Sequence, residues 1–182
     1  MEKTMKTENH AAADTRVRTI VTTALLAALA CVATMVIRVP SPTGGYMNLG
    51  DTVVLLGAFL LGPWYGALAG GIGSAMADAL SGYMVYVPAT LIIKAVMAIL
   101  AGLLYCGLKE KSGGMLLSAV AGEIPMVAGY WLFDALLLRS FVGSAAGIPS
   151  NLVQAGFGVA VSVFLAAALR KSGYVRSKFS NL

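Results

Sequence analysis

Five ionisable residues, Asp51, Asp78, Lys94, Glu123 and Asp134, lie within or at the edges of stretches that are otherwise apolar. A charge in hydrocarbon costs about 2.5 to 3.5 kcal/mol on insertion scales, so such groups face a bundle interior or a wet cavity, where they pair with one another or with a polar solute. Asp78 and Lys94 fall at similar depth on consecutive predicted helices. They can form an ion pair, or Lys94 can meet a bound molecule while Asp78 orients it. Glu123, Val127, Tyr130 and Asp134 follow the four-three-four spacing of one helix face, with Trp131 on its shoulder. That tryptophan suits either a pocket wall or an interfacial belt. Asn151 and Gln154 are i and i+3 neighbours whose amides can cap, pack, or read the ring nitrogens and exocyclic groups of a heterocycle. Together Lys94, Tyr130, Trp131, Asp134, Asn151, Gln154, Asp78 and Glu123 describe a small-molecule pocket with aromatic walls and a few converging polar groups. Acids outnumber the lysine, which favours a neutral or cationic, donor-bearing ligand.

No HExxH, P-loop, G-x-S-x-G or cysteine–histidine arrangement occurs, and the one histidine, His10, lies in a polar N-terminal stretch. The motifs therefore point away from an enzyme, from a metal site and from an ATPase within this chain. Cys31 and Cys106 sit in apolar segments without ligand or redox spacing and read as small buried hydrophobes. A basic lead before Cys31 resembles a lipoprotein signal, but the apolar run continues to Ile37, so cleavage is not expected.

The elements that must hold these side chains are membrane helices. The 182 residues are 58% hydrophobic and 12% charged, against about 25% charged in soluble domains. No charge occurs from Thr19 to Ile37, from Thr52 to Ala77 or from Ser140 to Leu169. About 20 residues of helix cross a hydrocarbon core of about 30 Å. Charges, prolines and glycines divide the chain into six helices near 19–37, 50–61, 64–81, 88–108, 113–138 and 149–169, with Gly62-Pro63 turning the second into the third. The second is short, and either extends back toward Met47 or is a re-entrant hairpin arm.

The predicted fold is thus an all-α membrane protein, a bundle of six transmembrane helices with both termini cytosolic. Residues 1–18 form a polar, frayed cytosolic tail, 19–170 the transmembrane domain, and 171–182 a basic cytosolic tail. Six crossings put Lys3, Lys6, Arg16, Arg18, Lys109, Lys111, Arg170, Lys171, Arg176 and Lys178 on one side and leave Arg38 and Arg139 on the other, as the positive-inside rule requires. The same asymmetry accounts for the net charge of +5 as topology plus attraction to the anionic lipid bilayer, with no nucleic-acid partner. The loop from Arg38 to Asp51 is stiffened by Pro40 and Pro42 and freed by Gly44 and Gly45, which suits a flap or a plain connector.

Gly62, Gly66, Gly70, Ser74, Asp78 and Gly82 recur every fourth residue and make a smooth face for close packing, within the chain or between copies. Ala24 and Ala28 give the first helix a smaller face of the same kind, for internal packing or for docking another membrane subunit.

The run from Asn48-Leu-Gly-Asp51 through Leu61-Gly-Pro63 to Ala77-Asp78, followed by Val87-Pro-Ala-Thr-Leu-Ile-Ile-Lys94, resembles the S components of energy-coupling factor (ECF) vitamin transporters. It is most similar to the branch serving riboflavin-like compounds, hydroxymethylpyrimidine or pyridoxine, over about residues 19 to 170. Ala24-x-x-x-Ala28 matches that family's first-helix docking motif, and Asn151-x-x-Gln154 a motif near the start of its sixth helix. The resemblance implies a binder for a small water-soluble vitamin or precursor, facing outward. Its partners would be a transmembrane coupling subunit and two cytosolic ATPases that use ATP, while this chain carries no cofactor of its own. The residues alone leave two alternatives: a self-sufficient proton-coupled carrier using Glu123 or Asp134, though no inverted repeat supports one, and a non-transporting scaffold assembled through the glycine ridge.

Overall fold

A computed structural model describes residues 2–179 and 181, with side chains from Thr15 onward except that of Arg176. The side chains of Lys3, Lys6, His10 and Arg176, and all of Met1, Ser180 and Leu182, lie outside the described residues. Helices α1 (Glu2–Val36), α2 (Gly50–Leu80), α3 (Val87–Leu108), α4 (Gly114–Leu138) and α6 (Ile148–Arg170) make the bundle, with short helices α5 (Phe141–Ser144) and α7 (Gly173–Lys178) at its ends. The helical backbone of α1 reaches back to Glu2, through the segment predicted as a frayed tail. Five segments are long and apolar enough to cross a membrane.

The second and third predicted helices are one element, α2, broken at Gly62, whose φ of 82° and ψ of −179° are non-helical. Only glycine takes that backbone readily, and Pro63 removes the next amide donor, so the chain reverses there. A Cβ on Gly66 would lie 2.7 Å from the Cα of Ala58, and one on Gly70 would lie 2.8 Å from the Val54 side chain. These contacts fold arms 50–61 and 63–80 into an antiparallel hairpin. The glycine ridge therefore packs inside the chain. On another side of the second arm, Gly73 meets the Ala27 carbonyl of α1, where a Cβ would sit 2.3 Å from its oxygen.

The first arm is buried from Gly50 to Leu60, enclosed by its neighbours, with Val54, Leu55 and Phe59 fully inside. A segment of 12 residues spans only about 18 Å of helix. Its start consequently lies below the bundle surface, and the loop before it descends to reach it. That loop carries strands β1 (Val39–Pro40) and β2 (Tyr46–Met47), paired antiparallel with Val39 opposite Met47. The Asn48 side chain accepts from the Gly50 amide at 2.8 Å and so satisfies one donor at the helix start.

At the opposite end the Gly62 turn, the turn after α3 and the C-terminal segment gather. Arg18 donates to the Lys178 carbonyl at 3.2 Å, Asn181 to the Leu60 carbonyl at 3.3 Å and Arg170 to the Lys109 carbonyl at 3.4 Å.

Candidate binding site

A small polar cavity lies at the end of the bundle that carries β1 and β2; the space between its lining residues, open solvent at the mouth included, is about 410 Å³. Five segments build it. The loop supplies Ser41, Thr43, Tyr46 and Asn48, α2 supplies Asp78, the start of α3 supplies Tyr86 and Thr90, and α4 and α6 supply Tyr130, Asp134, Asn151 and Gln154. Tyrosines form its rim, with Tyr46 packed on Tyr83 at 4.6 Å between ring centroids and Tyr86 against Phe133 at 5.3 Å.

Each carboxylate in the cavity has a phenol beside it. The Tyr46 hydroxyl donates to Asp78 Oδ1 at 2.5 Å and the Tyr86 hydroxyl to Asp134 Oδ1 at 2.9 Å. Tyr130 donates to Thr90 Oγ1 at 3.0 Å. Burial, and next the bond each makes to its carboxylate, push the Tyr46 and Tyr86 hydroxyls above the ordinary phenol range. Unfolded tyrosine titrates near pH 10, so above that pH the folded chain holds protons that the unfolded chain has lost, and stability falls as pH rises. The expected result is a thermal midpoint that drops above about pH 10, with a smaller drop in Tyr46→Phe/Tyr86→Phe; an unchanged alkaline profile in that variant would contradict the assignment.

Beneath the cavity lies a second, fully buried polar layer. Lys94 Nζ pairs with Asp51 Oδ1, the two side chains each 1% exposed. Of the two readings of Lys94 the ion pair holds, but with another acid than Asp78: Asp51, at the start of the buried arm, is its partner, and Asp78 is turned to Tyr46. Lys94 lies 5.3 Å from the centre of the Tyr130 ring and does not line the cavity. Gln154 joins the layers. Its oxygen accepts from the Asn48 amide at 2.7 Å and its nitrogen donates to Asp51 Oδ2 at 2.7 Å, so the side chain ties the loop to the ion pair. Glu123 belongs to this lower layer as well. It is 4% exposed, and among the described residues neither of its oxygens has a hydrogen-bond partner. Gly158 makes room for it, since a Cβ there would meet Glu123 Oε1 at 2.8 Å and Asp51 Cβ at 2.9 Å.

Of the predicted site residues, the fold brings Asp78, Tyr130, Asp134, Asn151 and Gln154 to the cavity, and holds Lys94 and Glu123 below it. Trp131 lies outside. One residue past Tyr130 is about 100° round the helix, and the indole faces the outer α4–α6 surface, donating to the Phe141 carbonyl at 3.2 Å. Sequence reasoning missed Ser41, Thr43, Gly45, Tyr46, Asn48, Tyr86 and Thr90 as cavity residues. Tyr86, Thr90 and Lys94 recur every four residues, a spacing that marks one face of α3.

Ala24 and Ala28 are exposed on α1, in a shallow apolar groove shared with Leu68, Ile72 and Met76 of α2.

Membrane helices closed around a polar cavity lined in part by tyrosines define a multi-pass membrane protein. A family model described as "ECF-type riboflavin transporter, S component" matches residues 14–171, and the chain belongs to that family. A Pyrococcus woesei protein described as "uncharacterized protein in gap 3'region" is 38% identical over 141 residues, covering 77% of this chain and 93% of that protein. Among solved structures, one titled "Structure and mechanism of the S component of a bacterial ECF transporter" superposes with a TM-score of 0.65 at 17% identity, covering 85% of this chain and 96% of that one, a likeness of fold. The chain is thus a membrane substrate-binding subunit of the ECF transporters, resident in the cell membrane.

Proposed function

We propose that this subunit captures a small, water-soluble vitamin or precursor with a single heteroaromatic ring and hydroxymethyl or amino substituents, of the hydroxymethylpyrimidine or pyridoxine kind. It would take the molecule from outside for ATP-driven uptake by partner subunits. The observation that carries this reading is the cavity itself. Two carboxylates, each held by a tyrosine, face the Asn151 amide across a space walled by aromatic rings, an arrangement suited to a ligand with several donors and one flat ring. The basic end of the bundle is assigned to the cytosol by the positive-inside rule, which directs the cavity outward. The Ala24 and Ala28 face is the proposed seat of the transmembrane coupling subunit, which would bring two cytosolic ATPases.

A second reading, riboflavin itself, is favoured by the description of the matching family model. Thermal-shift measurements on the purified chain against riboflavin, thiamine, hydroxymethylpyrimidine, pyridoxine and other water-soluble vitamins distinguish the two. A stabilising shift with a one-ring compound supports the proposal, a shift with riboflavin alone selects the second reading, and no shift with any of them refutes both. Uptake in vesicles should require the coupling subunit, the ATPases and ATP; uptake by this chain alone, abolished by collapsing the proton gradient, would instead identify a self-sufficient carrier.

A further inference from the structure

At the basic end of the bundle, α4 and α6 part to leave a groove of about 850 Å³, and its lining is split by chemistry. Lys109 and Lys111 stand on the turn after α3, Arg170 and Lys171 at the end of α6, and the bond from Arg170 to the Lys109 carbonyl holds the two edges together. Among the described residues, none comes within 4 Å of where a Cβ on Gly113, between them, would lie. Among the described residues of this rim, Lys111, Arg170 and Lys171 stand beside one acid, the exposed Glu110. Below this rim the lining turns apolar, save for the edge of the 4%-exposed Glu123, and passes through Leu116, common to both, into a second groove of about 1200 Å³ along the same two helices. Leu116, Val120 and Ile124 are 50%, 46% and 63% exposed on its wall, and Gly156 and Ala160 of α6 hollow its floor. From Leu116 to Trp131 the slot runs about 22 Å along α4, more than half of a hydrocarbon core of about 30 Å, and Leu116, Val120 and Ile124 line the half next to the basic rim.

We infer that the α4–α6 groove is a binding site for one anionic phospholipid, with its phosphate among Lys111, Arg170 and Lys171 and an acyl chain along Leu116, Val120 and Ile124. Charge complementarity selects the occupant. Zwitterionic lipid would fill the slot equally well but gain little from an excess of basic groups at its mouth, whereas each such group adds attraction for an anionic headgroup. The inference concerns a face distinct from the Ala24 and Ala28 groove on α1 and α2, and it is independent of which vitamin the cavity holds.

Native mass spectrometry of the full chain in detergent, supplied with equal phosphatidylglycerol and phosphatidylcholine, tests it. The expected result is a preference for phosphatidylglycerol of about tenfold or more in the bound adduct. Lys111→Gln/Arg170→Gln/Lys171→Gln should bring the two lipids to parity, while Arg16→Gln/Arg18→Gln/Lys178→Gln, which removes as much charge elsewhere at that end, should keep the preference. Gly156→Leu, at a position with nothing within 4 Å of a Cβ, should fold normally and reduce adducts of both lipids by obstructing the slot. Equal retention of both lipids by the unaltered chain would overturn the inference. So would loss of preference in both triple variants, or a preference that persists in the first.

Discussion

Lys94→Met should be among the most destabilising single changes in this protein, lowering stability by about 3 to 5 kcal/mol as read from thermal or denaturant unfolding in detergent. Lys94 is 1% exposed and its partner Asp51 is fully buried. Removing the ammonium strands a carboxylate at the start of an arm that is itself enclosed on every side, and leaves Glu123 beside it without a nearby cation. The opposite replacement is milder. Glu123→Gln keeps the volume, and neither oxygen it alters is engaged in a hydrogen bond, so its expected cost is well under half that of Lys94→Met. In Asp51→Asn/Lys94→Met the two losses should be less than additive, because each single change already exposes the other partner's unmet charge. Equal destabilisation by Lys94→Met and Glu123→Gln would remove Lys94 from its role as the counter-ion of the lower layer.

That role was only half legible in the amino-acid sequence. The burden of embedding Asp51, Asp78, Lys94, Glu123 and Asp134 in apolar helices is a property of composition, and it pointed to an interior polar region wherever the helices ran. The hairpin at Gly62 was legible for a similar reason, since a glycine followed by proline between two apolar runs forces a break. Pairing was not legible. Which acid meets Lys94 depends on how deep the arm beginning at Gly50 starts, and that depth is set by tertiary packing of Gly66 and Gly70 against Ala58 and Val54. Counting residues from the loops placed Asp78 opposite the lysine; the descent of the loop places Asp51 there. Trp131 was ambiguous for a different reason. Its periodicity puts it on the shoulder of the cavity face, and a shoulder position about 100° from Tyr130 can fall on either side of the boundary between cavity and outer surface. It falls on the outer side, where it donates to the Phe141 carbonyl.

Gln154 and Asn151, read from sequence as an equivalent pair of amides, separate in the structure into a tie and a free contact, and their variants should behave differently. Both ends of the Gln154 amide are occupied by the chain itself, the Asn48 amide on one side and Asp51 on the other. Asn151 lines the cavity, and none of the hydrogen bonds found engages its side chain. A neutral hydrogen bond to a ligand in a desolvated site is worth about 1 to 2 kcal/mol, and more where its loss leaves the ligand's own polar group unpaired. Asn151→Leu should therefore weaken binding of the vitamin identified by the screen about 10- to 100-fold while leaving the unfolding midpoint of the empty protein unchanged. Gln154→Leu should move both, because it frees the loop that roofs the cavity and strips a donor from Asp51. Titration calorimetry with the ligand and with an analogue lacking one ring nitrogen or exocyclic donor separates the cases. In Asn151→Leu the analogue and the parent should bind with nearly equal affinity, since the group that told them apart is gone; wild-type discrimination retained in that variant would place the reading of the ligand on other residues and withdraw Asn151 from the site.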